Sequence, residues 1–519
     1  MKKITLSLFA AMAASCAFAQ NNFDATAQVG NSNSAIVHQE GRSNIDLIYQ
    51  NGNQNKANVY QKGTLNSNQT ISIGNLNEVD VDQIGTANNA DQNQRGDSNF
   101  AKVYQNGTLN FSDQDQYGNN NRATVNQVGT GNDATQYQSG NWNVATAIQD
   151  GTLNSSDQSQ TGNYNSAYVD QSGSLHDATQ VQRGDSNYAN AYQRGTRHTS
   201  TQTQTGDRNT ALVSQYGGNI LLGGNTATQT QTGDDNYVYA YQNGMLNTST
   251  QTQTGDRNNA FVTQFGDRNS ATQSQTGDRN YASAYQSGNR NTSSQSQTGD
   301  RNYTSAYQSG DRNTSSQTQA GNDNLAYVTQ LGNSNQATQY QSGNSNMADA
   351  MQDGNNNVAN QTQYGSSNRA IVDQEGNSND AYQYQRGASN YASSTQEGNN
   401  NRSIQNNIGD RNHSENTQIG HRNYLEQWQA GNDNYSFALT MGNDNRVLQG
   451  QDGNENISWG FQLGNSNLIS TSQVGDNNAS VNAQLGSSNQ IHNRQWGEGH
   501  VHLGLQVGSS NYQNIHQQN

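Results

Sequence analysis

Proline is missing from all 519 residues, cysteine occurs once, at Cys16, and hydrophobic residues make up only 29% of the chain. A single cysteine leaves neither disulfides nor thiolate metal sites as a source of stability. Nowhere do apolar residues run for the roughly 20 positions that a membrane-spanning helix needs. Cations are scarce as well: 25 Lys and Arg stand against 40 Asp and Glu, for a formal charge of -15. An acidic chain without a basic run argues against nucleic acid or anionic membrane as a main partner. A mean hydropathy of -1.08 resembles that of segments unable to offset their ordering entropy. The absence of proline and the fixed placement of the polar residues point the other way.

What is present is a period. Glycines step by eleven without a miss from Gly30 to Gly217, and again from Gly233 to Gly508. The two registers are separated by one five-residue insertion, residues 218–222, of sequence GNILL. Self-similarity at a fixed period sets the architecture before anything else does. Ahead of the repeats, MKKITLSLFAAMAASCAFA reads as a signal peptide over residues 1–19. It has a basic start at Lys2 and Lys3, an apolar stretch, and the small residues Ala17 and Ala19 before the cut. Cys16 lacks the preceding Leu of a lipid-attachment site, where Ala13 stands instead. Repeats are expected over residues 20–519, regular over 20–430 and divergent over 431–519, where Leu439, Trp459, Ile469 and Trp496 enter. Terminal repeats of solenoids are commonly atypical, so the divergent part is expected to cap or anchor the stack.

Counted from each Gly as position 0, the unit reads G-[N/D]-x-N-x-A-x-[V/A/Q]-x-Q-x. Positions +3, +5, +7 and +9 share one parity, and a strand sends alternate residues to one face. Asn280, Ala282, Ala284 and Gln286 are therefore expected inside, and Tyr281, Ser283, Tyr285 and Ser287 outside. The remaining residues, around Gly and the following Asn or Asp, form a bend in which both tolerate positive φ. Helices are excluded, because a Gly in every eleven residues costs about 1 kcal/mol each time in a helix. The pattern predicts an all-β, single-stack parallel β-solenoid with two strands per 22-residue coil and about 22 coils.

Alternate units differ at +7. One set carries Val or Ala there; the other carries Gln92, Gln114, Gln136, Gln158, Gln180 and Gln202, then Gln229, Gln251, Gln273, Gln295, Gln317, Gln339, Gln361, Gln383, Gln405 and Gln427. A buried Gln is costly unless its amide is paired. Stacked at about 4.8 Å, each amide can donate to one neighbour and accept from the other, as in the Gln ladders of cross-β structures. Asn at +3 and Gln at +9 are expected to do the same. After Gln427 the +7 ladder is expected to stop.

The spacing Gln275, Gly277, Asn280, Ala282, Gln286 resembles the curlin repeat of curli, the bacterial surface amyloid, and recurs over essentially residues 20–519. The chain departs from that family in carrying many more repeats and in beginning them at once after its leader. The resemblance implies a secreted structural protein with no enzymatic activity: a subunit of a curli-like, pilus-like amyloid fibre in adhesion and biofilm matrix. It implies a place on or outside the surface of a Gram-negative-type bacterium. Its partners would be copies of itself added end to end, and a nucleator or an outer-membrane secretion or anchoring protein. Nucleic acid and small-molecule substrates are not expected.

No phosphate loop, dinucleotide fingerprint, zinc spacing or catalytic constellation emerges, so no catalytic, metal or cofactor residue is assigned. The Asp and Asn of the bends lack the spacing of calcium-binding solenoids, and inward-facing His500 and His502 lack a third ligand. The outward faces are more telling. One bears Tyr188, Tyr192, Tyr237, Tyr241, Tyr281, Tyr285, Tyr303 and Tyr307; the other bears rows such as Thr199, Thr201, Thr203 and Thr205. High β-propensity explains both; an aromatic face for lateral or surface contact is the functional alternative. A second overall reading is a monomeric secreted solenoid, binding ice or a surface through those Thr and Tyr faces.

Overall fold

The computed structural model describes residues 22–519, so the leader predicted for residues 1–19 lies outside the described residues. Among the described residues every regular element is a β-strand, 45 in all from Phe23–Val29 to Tyr512–Gln518. At two strands per coil they make the all-β parallel solenoid of about 22 coils that the period predicts. The chain divides into two units, one ending at Arg257 and one spanning Asn258–Asn519.

Within each unit, strands alternate between two parallel sheets, and each strand pairs with the one a full coil away. In the first unit Gln136 lies beside Gln158, and in the second Tyr281 lies beside Tyr303. One sheet carries the +7 Gln residues and is called here the ladder sheet; the other carries Val or Ala at +7. Strands begin at +4 rather than +3, as in Tyr281–Ser287. Many in the opposite sheet run on through the next Gly, as in Leu325–Asn333.

The parity is as the pattern dictates. Ala57, Val59, Val79, Val81 and Val103 form the apolar part of the first unit's interior, and Val328, Ala350 and Val372 recur in the second. Around them the interior is amide: Asn280 and Gln286 are fully buried. The interior is filled mainly by Ala, Val, Asn and Gln, with Ile48, Leu425, Ile469 and Ile491 as its largest apolar side chains.

The bend differs from expectation. Positive φ falls on Gly277 (108°) and on Arg279 (57°), two residues on, while the intervening Asp278 keeps an ordinary conformation. Asp is instead used as an acceptor: the Asp300 carboxylate takes the backbone N–H of Asp278 one coil earlier, at 2.9 Å. The bends themselves are laddered, with the Gly299 N–H on Thr276 O and the Arg301 N–H on Asp278 O, both 2.9 Å. Those bonds hold a non-glycine residue in the left-handed region, which costs roughly 1–2 kcal/mol. A Cβ on Gly277 would collide with the carbonyl oxygen of Gly299, so the packing of bend on bend requires glycine.

At the insertion, Asn219 and Gly223 exchange backbone hydrogen bonds at 3.0 and 2.8 Å, and Leu221 projects into solvent at 87% exposure. Thr199 still pairs with Thr226, so the extra residues loop out without shifting register. Residues 431–518 keep the same pairing to the last strand. Their divergence lies on both faces: Trp459 and Trp496 face outward at 41% and 46% exposure, whereas Ile469 and Thr471 are interior residues.

Candidate functional site

No cleft gathers reactive groups, and among the described residues no three His, Cys, Asp or Glu stand where they could hold a metal ion. The distinctive arrangement is the buried amide ladder. In the first unit the Gln114 Nε2 donates to Gln136 Oε1 at 2.9 Å, and the chain continues through Gln158, Gln180, Gln202, Gln229 and Gln251. The step from Gln202 to Gln229 spans the insertion at 3.0 Å.

In the second unit Gln273 donates to Gln295 at 2.7 Å. The series passes through Gln317, Gln339, Gln361, Gln383 and Gln405 to Gln427. The second amide hydrogen crosses to the opposite sheet, as from Gln295 to the Ser283 carbonyl at 2.8 Å. A Gln inside the column, such as Gln295, thus spends two donors and accepts one bond.

Both ends of the series differ from expectation. Gln92 accepts from the Thr70 hydroxyl at 3.2 Å, while its Nε2 and the Oε1 of Gln114 find no partner. The ladder therefore starts at Gln114. At the other end Gln427 donates to Gln449 at 2.9 Å, one coil past the expected end, and Thr471 then occupies the column, buried.

Gln at +9 builds a further ladder in each sheet, with Gln264 on Gln286 at 2.8 Å and Gln275 on Gln297 at 2.9 Å. Asn at +3 forms a ladder as well, with Asn280 Nδ2 donating to Asn258 Oδ1 at 3.1 Å, and it adds bonds to the backbone. Asn280 Oδ1 accepts the backbone N–H of Asn302 at 2.9 Å, and its Nδ2 reaches the Gly299 carbonyl at 2.7 Å. It stitches strand entry to bend. The motif residues Gln275, Gly277, Asn280, Ala282 and Gln286 are thus one interior column set with its bend.

The sequence pattern does not single out His176 and His198, which replace Asn at +3. Their rings stack at 5.1 Å and 3°. Nδ1 of His176 and of His198 accepts a backbone N–H from the following coil, and Nε2 donates to a backbone carbonyl. A neutral imidazole thereby copies the Asn amide, and burial pushes both rings down to about 4. Another buried titratable group is Asp46, stacked in register with Asp24. Burial and then the neighbouring Asp24 charge raise it to about 7, while Asn68 donates to it at 2.6 Å and opposes the rise.

The eight tyrosines expected outward all lie outward on the opposite sheet. Tyr281 stacks on Tyr303 at 4.8 Å and Tyr285 on Tyr307 at 4.9 Å, with ring planes nearly parallel. Tyr192 and Tyr241 flank Tyr216 in tilted contacts at 5.6 and 5.5 Å. Tyr188 accepts from Asn190 at 3.1 Å, and Tyr237 follows Thr210 in the same row. His500 contacts the Trp496 carbonyl at 3.0 Å; His502 is half-buried and its Nε2 has no partner.

The curlin associated repeat, as a family pattern, matches residues 96–129, 184–217, 252–277, 266–299, 299–332 and 321–354. Among curated proteins none matches the chain.

Proposed function

We propose, from the premise that this chain belongs to the curlin-repeat family, that it is a structural subunit of an extracellular, curli-like amyloid fibre. Curlin repeats and a parallel solenoid together point to a structural rather than an enzymatic protein. The observation that carries the reading is the interchangeability of coils: Tyr281–Ser287 and Tyr303–Ser309 are nearly the same strand, paired residue by residue. An exposed coil presents unpaired N–H and C=O groups together with Gln donors or acceptors, and any copy's coil can satisfy them. Growth then repeats, between molecules, the contacts made within one.

On this reading the fibre serves adhesion and biofilm matrix outside a Gram-negative-type cell, seeded or anchored by an outer-membrane partner. The test is seeding. Purified residues 20–519 should form fibres by electron microscopy with a thioflavin lag that sonicated fibres abolish. Dispersed particles and no seeding would refute it. The Thr rows of the first unit favour the rival binding module, because Thr199, Thr226 and Thr248 lie in adjacent strands in register. Ice recrystallisation inhibition by unassembled protein would support that module instead.

A further inference from the structure

From residue 435 onward the outward face of the opposite sheet changes character. Four successive paired strands, Tyr435–Asn443, Ile457–Asn465, Ala479–Ser487 and Val501–Ser509, place only apolar or aromatic side chains at their first four outward positions, with Asn465 and Ser509 exposed at the far ends. The preceding strand still offers His413, Glu415 and Thr417 there, and the ladder sheet of the same coils shows Arg446, Ser470 and Arg494. Leu463 is 49%, Leu503 76% and Leu505 68% exposed. The array measures about 19 by 20 Å, a footprint of about 400 Å². That lies within the roughly 300–600 Å² of a typical monomer's largest patch, which is often functional.

The two rims differ. Bends entering these strands carry Glu455, Asp476 and Glu498, which make no ion pair among the described residues; Asp433 there is held by Arg411 at 2.6 Å. Bends leaving them carry Ser466, Ser488 and Ser510, with Asp444 held by Arg422 at 2.7 Å. One rim is acidic and the other neutral.

We infer that this face pairs with the same face of a second copy, strands antiparallel across the interface and coil stacks parallel. Two sheets packed about 10 Å apart bury both arrays. A two-fold axis along the stack sets each acidic rim over the partner's serine rim. The alternative two-fold, along the strands, would set acid over acid. An acidic rim likewise disfavours an anionic lipid surface. The pairing goes beyond the stacking proposed above: stacking adds coils along the axis, pairing joins faces, so fibre length reports the first and fibre width the second.

The test compares the mature full chain with Trp459→Thr/Leu503→Thr/Leu505→Thr and with Ser466→Lys/Ser488→Lys, by sedimentation of freshly prepared protein and microscopy of assembled material. Threonine is a common outward residue elsewhere in these sheets, and an unchanged far-ultraviolet circular dichroism spectrum will show that the fold is kept. The wild type should pair and give double-width fibres, and the Thr variant should stay single at the same concentrations. The Lys variant should pair about three- to tenfold more tightly, through lysines set over partner carboxylates. Wild-type chains that remain single, or a Thr variant that still pairs, would overturn the inference. So would weaker pairing by the Lys variant, which would signal the opposite strand orientation, or binding to phosphatidylcholine vesicles in place of pairing. If no fibres form at all, the stacking proposal fails and sedimentation alone still decides the pairing.

Discussion

Replacing Gln295 with Leu strands two buried amide atoms: the Nε2 hydrogen that Gln273 donates at 2.7 Å and the Gln317 Oε1 that accepts at 2.9 Å. Each unsatisfied buried group costs about 1–3 kcal/mol, giving roughly 2–6 kcal/mol, from which about 2 kcal/mol of Leu burial is recovered. Gln317→Leu strands two atoms in the same way, since Gln295 then lacks its acceptor and Gln339, bonded at 2.9 Å, loses its donor. The double substitution is the informative one. It leaves only the Gln273 hydrogen and the Gln339 oxygen unpaired, the same number as either single change.

The double variant should therefore cost no more than one single variant, with a coupling of about 2–6 kcal/mol relative to additivity. Ser294→Ala, at an outward position between buried Ser293 and Gln295 of one strand, should change stability by less than about 0.5 kcal/mol. Because solenoid stability sums over neighbouring coils, hydrogen exchange of the strands Ser270–Thr276 through Gln336–Asn344 should localise the loss. Additive costs, or equal costs for Ser294→Ala and Gln295→Leu, would refute the ladder as a cooperative element.

Gly299→Ala should destabilise its bend by at least about 2 kcal/mol, since its φ of 108° is unsuited to alanine and the new Cβ would meet the Gly321 carbonyl; local proteolysis and denaturation will read this. His176 and His198 are depressed to about 4 from 6.5, so the folded state binds fewer protons than the unfolded. Stability should be complete above pH 6.5 and fall as the pH drops towards 4, by at most about 3 kcal/mol per ring, and His176→Asn/His198→Asn should remove that slope in pH-dependent denaturation. Deleting residues 218–222 should leave the melting transition almost unchanged, because Thr199 already pairs with Thr226 across the loop.

Much of the fold is legible because two signals share one phase. Gly every eleven residues marks the bends, and Asn, Ala and Gln at fixed odd offsets mark a single inward face. A period-two pattern tied to a bend marker leaves little room for another register. The bend's inner geometry is less legible, since Arg279 takes the left-handed position through backbone bonds between coils while Asp278 acts as an acceptor; composition favours the reverse. The extra rung at Gln449 lies in the sequence at its proper offset, obscured by the bulky residues around it. His176 and His198 look like exceptions to the Asn column until their nitrogens are seen to copy an amide. The apolar array after residue 435 needed the parity to be fixed before outward and inward residues could be told apart.

The central claim, that coils stack between molecules as they do within one, is tested most directly by X-ray diffraction from aligned fibres of the mature chain. The account predicts a meridional reflection near 4.8 Å, with strands perpendicular to the fibre axis. Fibres whose 4.8 Å spacing lies on the equator, or protein that stays dispersed at every concentration, would contradict it.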